Sequence, residues 1–328
     1  MDNEDFAKGT EKLVDPVTVG SIHFLQQLYG MLPLPVQRTM LDKASETTPY
    51  MGFVVEPYAF FLFYEVADEA RASAMLPDGF RLAKASVFDG DEPACYAVMS
   101  FFRVHTSAFW GARAEFYLIA EDERTGLLSW VIVDYLSDTI SYDRAHGLRA
   151  PSVAGAVVTT TSDGSVLVDI DGEHEGRIAF SASLDRARMR SLDQRLWIEG
   201  NLSVGYGKAL SHDRGDVFSL TFFPEEMMQA LDVPLGNLVV SSAGWHDDLV
   251  ASEPSRLACF PFAQHLLSDS PGRASRHTSE RELSKAARAV DFDELRPFSV
   301  GSVRAGVVAG TVATLGIIAA LAIALVRK

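Results

Sequence analysis

The chain has 328 residues, 48% hydrophobic and 22% charged, enough for one large folded domain or two modest ones and too apolar for wholesale disorder. A formal charge of −15 excludes the basic footprint that nucleic-acid binding needs, so no nucleic-acid partner is expected. The two cysteines, Cys95 and Cys259, sit in apolar settings far apart and outside any CxxC or Cys/His cluster; buried free thiols and a reducing location are expected.

Residues 1–16 (MDNEDFAKGTEKLVDP) are acidic and polar, lack the apolar core of a secretory signal, and are expected to be a flexible N-terminus. Between Val17 and Ala44, Ile22, Leu25, Leu28 and Tyr29 fall at helical spacing, interrupted by Pro33 and Pro35, and a second short helix is expected through Leu41. The aromatic run MGFVVEPYAFFLFYEVA predicts one or two strands. DEARASAML predicts a short helix with Asp68 and Glu69 in its first turn, stopped at Leu76-Pro77-Asp78-Gly79.

Strands are then predicted in RLAKASVFD, ACYAVMSFFRVHT, RAEFYLIA and LLSWVIVDYL, and again in VAGAVVTTTS, SVLVDIDG and RIAFSASLD, with tight turns at Ser162-Asp163-Gly164 and Asp171-Gly172. RLWIEGNLSVGYGKALSHD and DVFSLTFF also read as strands, PEEMMQALDVPLG as a short helix, and Leu257 to Leu267 as the close of the domain. Regular strand spacing without interleaved long helices predicts a mainly β (α+β) fold: an antiparallel, cone-like β-barrel with a few short helices.

From Ser268 to Val303 the composition turns polar and reads as a linker, with a helical stretch in ERELSKAARAV. Residues 304–328 read as a transmembrane anchor. Gly306 to Val326 holds 21 residues without a charge, about 31 Å as a helix, against a hydrocarbon core of roughly 30 Å. Gly306 and Gly310, with Ala305, Ala309 and Ala313, offer a small-residue face through which a homodimer could form. A membrane protein is therefore expected, single-pass through residues 306–326, with residues 17–267 as the folded domain on the cytoplasmic side.

The stretch Arg113 to Pro151 orders the rest. Glu115 lies in an aromatic strand, a polar turn EDERTG leads to LLSWVIVDYL, and TISYDRAHGLRAP closes in a turn. Together with LPDGFRL at Leu76 to Leu82, this order resembles the acetoacetate decarboxylase-like superfamily, over roughly Tyr58 to Leu267. The resemblance implies a barrel whose cavity takes a small acid, and it matches Glu115 to the family's acidic strand position. The family's turn carries a lysine pair, one lysine forming a Schiff base with the keto acid. Here that place reads Gly147-Leu148-Arg149-Ala150-Pro151, and a guanidinium that stays protonated cannot replace the amine.

Candidate site residues are therefore Glu115, His146 as a general base near neutral pH, and Arg149 as a bidentate partner for a carboxylate. Each has a plainer reading as an exposed or salt-bridged side chain. Only Lys84 and Lys208 lie between Tyr58 and Leu267, and a strand lysine normally points to water. His212-Asp213 and His246-Asp247-Asp248 lack a third ligand at recognisable spacing, His174 reads as an exposed turn residue, and no cofactor or metal is expected. Two functions follow: a membrane-tethered module binding a small organic acid or lipid-like ligand without Schiff-base decarboxylation, or a lyase or hydrolase acting on a related acid.

Overall fold

A computed structural model describes residues 1–15, 19, 32–44, 51–107, 109–139, 141–143, 147–149, 151–172, 176–210, 217–242, 244–269, 274–295, 305, 308–313 and 315–316. Helix α1 (Asn3–Leu13) comes first, capped by the Asp2 carboxylate, which accepts from the Asp5 amide at 2.9 Å. Helix α2 (Leu34–Ala44) precedes β1 (Met51–Val55) and β2 (Ala59–Glu65). Helix α3 (Glu69–Met75) is capped by Asp68 and stopped before Pro77. Then come β3 (Phe80–Leu82), β4 (Lys84–Ala85) and two long strands, β5 (Ala94–Thr106) and β6 (Trp110–Asp122), followed by β7 (Leu128–Ser137) and the short pair β8 (Ser141–Asp143) and β9 (Gly147–Arg149).

A hairpin run follows: β10 (Val153–Thr160), β11 (Ser165–Gly172) and β12 (Gly176–Ser183). After β13 (Arg188–Ser191) and the single-turn helix α4 (Gln194–Trp197) come β14 (Ser203–Tyr206), β15 (Val217–Phe222), β16 (Gln229–Asp232), β17 (Leu238–Ser242), β18 (Arg256–Phe260) and β19 (Gln264–Ser268). Helix α5 (Glu280–Ala289) completes the domain.

Seven strands close a ring in the order β5-β1-β19-β15-β14-β7-β6 and back to β5. The thirteen-residue β5 serves two neighbours on one edge: β1 pairs with Val104–Thr106 and β2 with Tyr96–Phe101. Strands β18, β16 and β13 continue outward from β2 and flare that end of the barrel. A second sheet, β10-β11-β12-β17, packs on the outer face of β6. Alternation along β6 sorts the layers: Ala112, Ala114, Phe116, Leu118 and Ala120 face the second sheet, while Tyr117 and Ile119 belong to the barrel interior.

The mainly β barrel expected from the strand spacing is present, with three corrections. Its pairing is not antiparallel throughout, because β14 runs parallel to β7 through Gly205↔Val131 and Tyr206↔Ile132. RLWIEG forms helix α4 and a turn rather than a strand, because Asp193 caps it and Trp197 is drawn into the core. PEEMMQALD is likewise no α-helix; a 3₁₀ turn at Pro224–Met227 passes into β16.

The two flanking segments also differ from expectation. Residues 3–13 form a packed helix instead of a loose terminus, because Phe6 is fully buried against Phe223 and Phe292 at ring distances of 5.3 and 5.6 Å. Helix α5, within the expected linker, buries Leu283 and Ala287. Among the described residues no helix is long and apolar enough to cross a membrane; most of the span at 306–326 lies outside them.

Helix α1 lies against an ionisable pair, His265 of β19 and Glu226 of the Pro224–Met227 turn. Glu226 accepts from both the His265 amide (2.6 Å) and Nδ1 (3.0 Å), with Glu11 of α1 3.7 Å from Nε2. Nearby, Glu225 meets Arg288 of α5. Burial opposes the imidazolium, but Glu226, seconded by Glu11, outweighs it and raises the His265 pKa. This contribution is therefore complete below the ordinary histidine value of about 6.5 and disappears as pH rises through the raised folded value. The stability difference between wild type and H265Q, measured by urea denaturation across pH, is expected to shrink toward alkaline pH; a difference constant with pH contradicts the pairing.

Candidate functional site

The barrel interior carries a charged array built on the period of β6. Arg113, Glu115 and Tyr117 alternate along the strand and so share its inner face. Glu115 is buried, and the Arg113 side chain is only 14% exposed. Arg113 Nε donates to Glu115 Oε1 at 2.8 Å, and Nη2 lies 2.7 Å from the same oxygen, which leaves Nη1 outside the pair. The Tyr117 hydroxyl donates to the other carboxylate oxygen, Oε2.

A bulge in β7 completes the array. Pairing runs Phe116↔Asp134 and then Tyr117↔Ile132, so Val133 is the extra residue. Beyond it Tyr135 pairs with Glu115 and faces inward, its ring centroid 4.6 Å from the Arg113 guanidinium carbon. On the other side Ser100 of β5 pairs with Glu115 and is fully buried.

Burial works against the Arg113 charge, but Glu115 outweighs it and raises the guanidinium's pKa; Tyr135, Tyr206 and Tyr117 lie within its electrostatic reach. Burial, followed by the Glu115 charge, pushes the Tyr117 phenol well above its ordinary value, so it stays a protonated donor. The array can therefore hold a fixed guanidinium charge, present N–H donors in an apolar wall and position one carboxylate.

The same bulge turns Asp134 outward. Its Oδ2 accepts from Trp245 Nε1 and sits 2.9 Å from His246 Nε2, and the His246 ring lies 4.4 Å from Phe116. His246 adopts a left-handed backbone (φ 55°). This pair joins the loop before β18 to the outer face of the barrel, away from Arg113.

Of the residues expected to form a site, Glu115 is inside the barrel. Arg149 is placed through its backbone alone, paired with Ser141 in the β8–β9 hairpin; its side chain and all of His146 lie outside the described residues, as do His174, His212 and Asp213. Lys208 is 54% exposed and 3.5 Å from Asp78, and Lys84 is exposed on β4. Cys95 and Cys259 are free thiols, and burial pushes the Cys259 thiol up to about 12. Sequence reasoning missed Arg113, Tyr117 and Tyr135. The period-two spacing of R-A-E-F-Y held the signal for the first two; Tyr135 depends on the bulge.

No family model matches the sequence, and no curated protein matches it. Among solved structures, the chain is similar to the acetoacetate decarboxylase of Legionella pneumophila, with a TM-score of 0.44 and 11% identity over 68% of this chain and 88% of that one. It is also similar to a second acetoacetate decarboxylase structure, with a TM-score of 0.39 and 12% identity over 68% and 90% of the two chains. An acetoacetate decarboxylase-like enzyme from Sphingomonas wittichii follows, with a TM-score of 0.33 and 11% identity over 69% and 92%.

Proposed function

We propose that the barrel binds a small organic acid or lipid-like carboxylate at Arg113 without Schiff-base chemistry, in a protein tethered to a membrane by residues 306–326. The observation that carries the reading is a largely buried guanidinium on the inner wall, held by Glu115 through Nε and Nη2, with Nη1 left for a second acceptor. A guanidinium in a low-dielectric wall binds carboxylate strongly and with fixed geometry. The exposure of Lys84 and Lys208 supports the non-covalent part, since a Schiff-base amine needs desolvation to be unprotonated near neutral pH.

The tether is supported by sequence and by exposure. Residues 308–313 are helical, and Val308, Val312 and Leu315 are each more than half exposed, as apolar side chains meant for lipid would be. A tail-to-tail dimer through Gly306 and Gly310 would compete with Leu32, which lies 3.7 Å from the position of a Cβ on Gly310. The enzymatic alternative, a lyase or hydrolase, draws on the burial of Glu115 beside the same guanidinium.

The test is a fluorescence titration of the full chain in detergent with pyruvate, acetoacetate, levulinate and palmitate, followed by borohydride and mass spectrometry. Saturable binding by at least one acid, absent from a folded R113M/E115L variant, with no reduced lysine adduct, is expected. Absence of saturable binding overturns the reading, and an adduct at either lysine overturns its non-covalent part. Consumption of a bound acid without an adduct selects the enzymatic alternative.

A further inference from the structure

The strand registers place several chain ends together. Met51 pairs with Ser268, Phe53 with Thr106, His105 with Trp110, Arg113 with Ser137 and Gly205 with Val217. The chain thus enters the barrel at β1 and leaves it at β19 at the same end as Arg113. The opposite end is filled by packed rings: Trp197 lies 5.1 Å from Phe61, 5.7 Å from Phe63 and 5.2 Å from Trp130. Access to the guanidinium is therefore from the Arg113 end.

That end is also where the apolar tail comes in. The wall is left at Ser137 and regained at Ser152, whose amide donates to the Ser137 carbonyl at 2.9 Å; the β8–β9 hairpin lies in this excursion. Helix α2 packs against β9 and exposes Val36. Among the described residues, the side chain of Leu32, two residues before α2, lies 3.7 Å from where a Cβ on Gly310 of the tail helix would sit. Tail, α2, hairpin and Arg113 are thus successive neighbours. Partly buried Phe53, Val55, Tyr135, Tyr206 and Phe218 line the interior around them, a surface suited to alkyl groups as well as to a carboxylate.

We infer that the Arg113 end of the barrel faces the bilayer and takes a single-chain, membrane-partitioned carboxylic acid from it, carboxylate at Arg113 and alkyl chain running out past α2 toward lipid. This rests on the acid-binding and tethering reading above and specifies the ligand class. Each added methylene strengthens partitioning into the bilayer, so an opening set against lipid meets long-chain acids at far higher local concentration than short ones.

The test uses the full chain in phosphatidylcholine vesicles with a diazirine-bearing palmitate probe. Labelling is expected on α2 and on residues lining the Arg113 end, Phe53, Tyr206 and Phe218 among them, and is expected to be competed at least tenfold better by palmitate than by levulinate. A nitroxide at V36C, with C95S to remove the half-exposed thiol, is expected to be more accessible to oxygen than to a water-soluble nickel chelate. Equal competition by levulinate overturns the lipid ligand and leaves acid binding standing. A nickel-accessible nitroxide on membrane-bound protein overturns the orientation. Failure of the chain to stay with the vesicles, or of any acid to bind, removes the underlying reading and this one with it.

Discussion

Replacing Arg113 with methionine is expected to destabilise the domain by about 3–5 kcal/mol, because it strands the buried Glu115 carboxylate in the barrel wall. The effect comes from the orphaned charge rather than from a lost contact. R113M/E115L should recover most of the loss, since two apolar side chains of similar size replace the pair. It leaves the Tyr117 hydroxyl without its acceptor, at about 1–3 kcal/mol. Adding Y117F should therefore bring stability close to wild type. Urea denaturation of the four proteins measures this; an R113M variant as stable as wild type would show that the pair is hydrated.

Trp197→Ala is expected to cost about 3–5 kcal/mol as well, by a different mechanism. The side chain is nearly fully buried among Phe61, Phe63, Trp130 and Phe260, and its indole N–H donates to the Val87 carbonyl at 2.9 Å. Truncation opens a large void and leaves that carbonyl short of its donor. The loss should appear as a lower midpoint in thermal unfolding followed by near-ultraviolet circular dichroism. W197F should cost much less, because it keeps most of the volume and loses the hydrogen bond. Equal losses in the two variants would show that the hydrogen bond, not the packing, holds the position.

The strands were legible because their composition and spacing are local. RAEFYLIA, LLSWVIVDYL and the hairpins around Gly164 and Gly172 need only near neighbours to be recognised. The closure of the ring was not legible in the same way, since β1 meets β19 and β14 meets β7 through residues that no pattern links. Helix α4 escaped because a single turn is too short to show a period; the Asp193 cap before Gln194 was its only local mark. Helix α1 did carry a readable stripe, Phe6, Thr10 and Leu13, but its acidic composition pointed elsewhere.

The site was half legible. Glu115 stood out as a carboxylate among aromatic residues, yet its partner two positions earlier read as the start of a strand. Strand alternation puts both on one face, so any acidic residue read as inward-facing carries its i−2 and i+2 neighbours with it. The outward turn of Asp134 and the inward turn of Tyr135 follow from the Val133 bulge, which one strand alone does not reveal.

The docking of α1 has a consequence for synthesis. Phe6 is made before any strand of the barrel, but the surface that receives it includes Phe292, and the helix sits beside β19, the strand that closes the ring against β1. At about 5–20 residues per second, roughly 15–60 s separate the emergence of Phe6 from that of Phe292. Throughout that interval the first helix has no finished place to go. It leaves the ribosome ahead of every barrel strand and can settle only after α5 and Phe292 have followed.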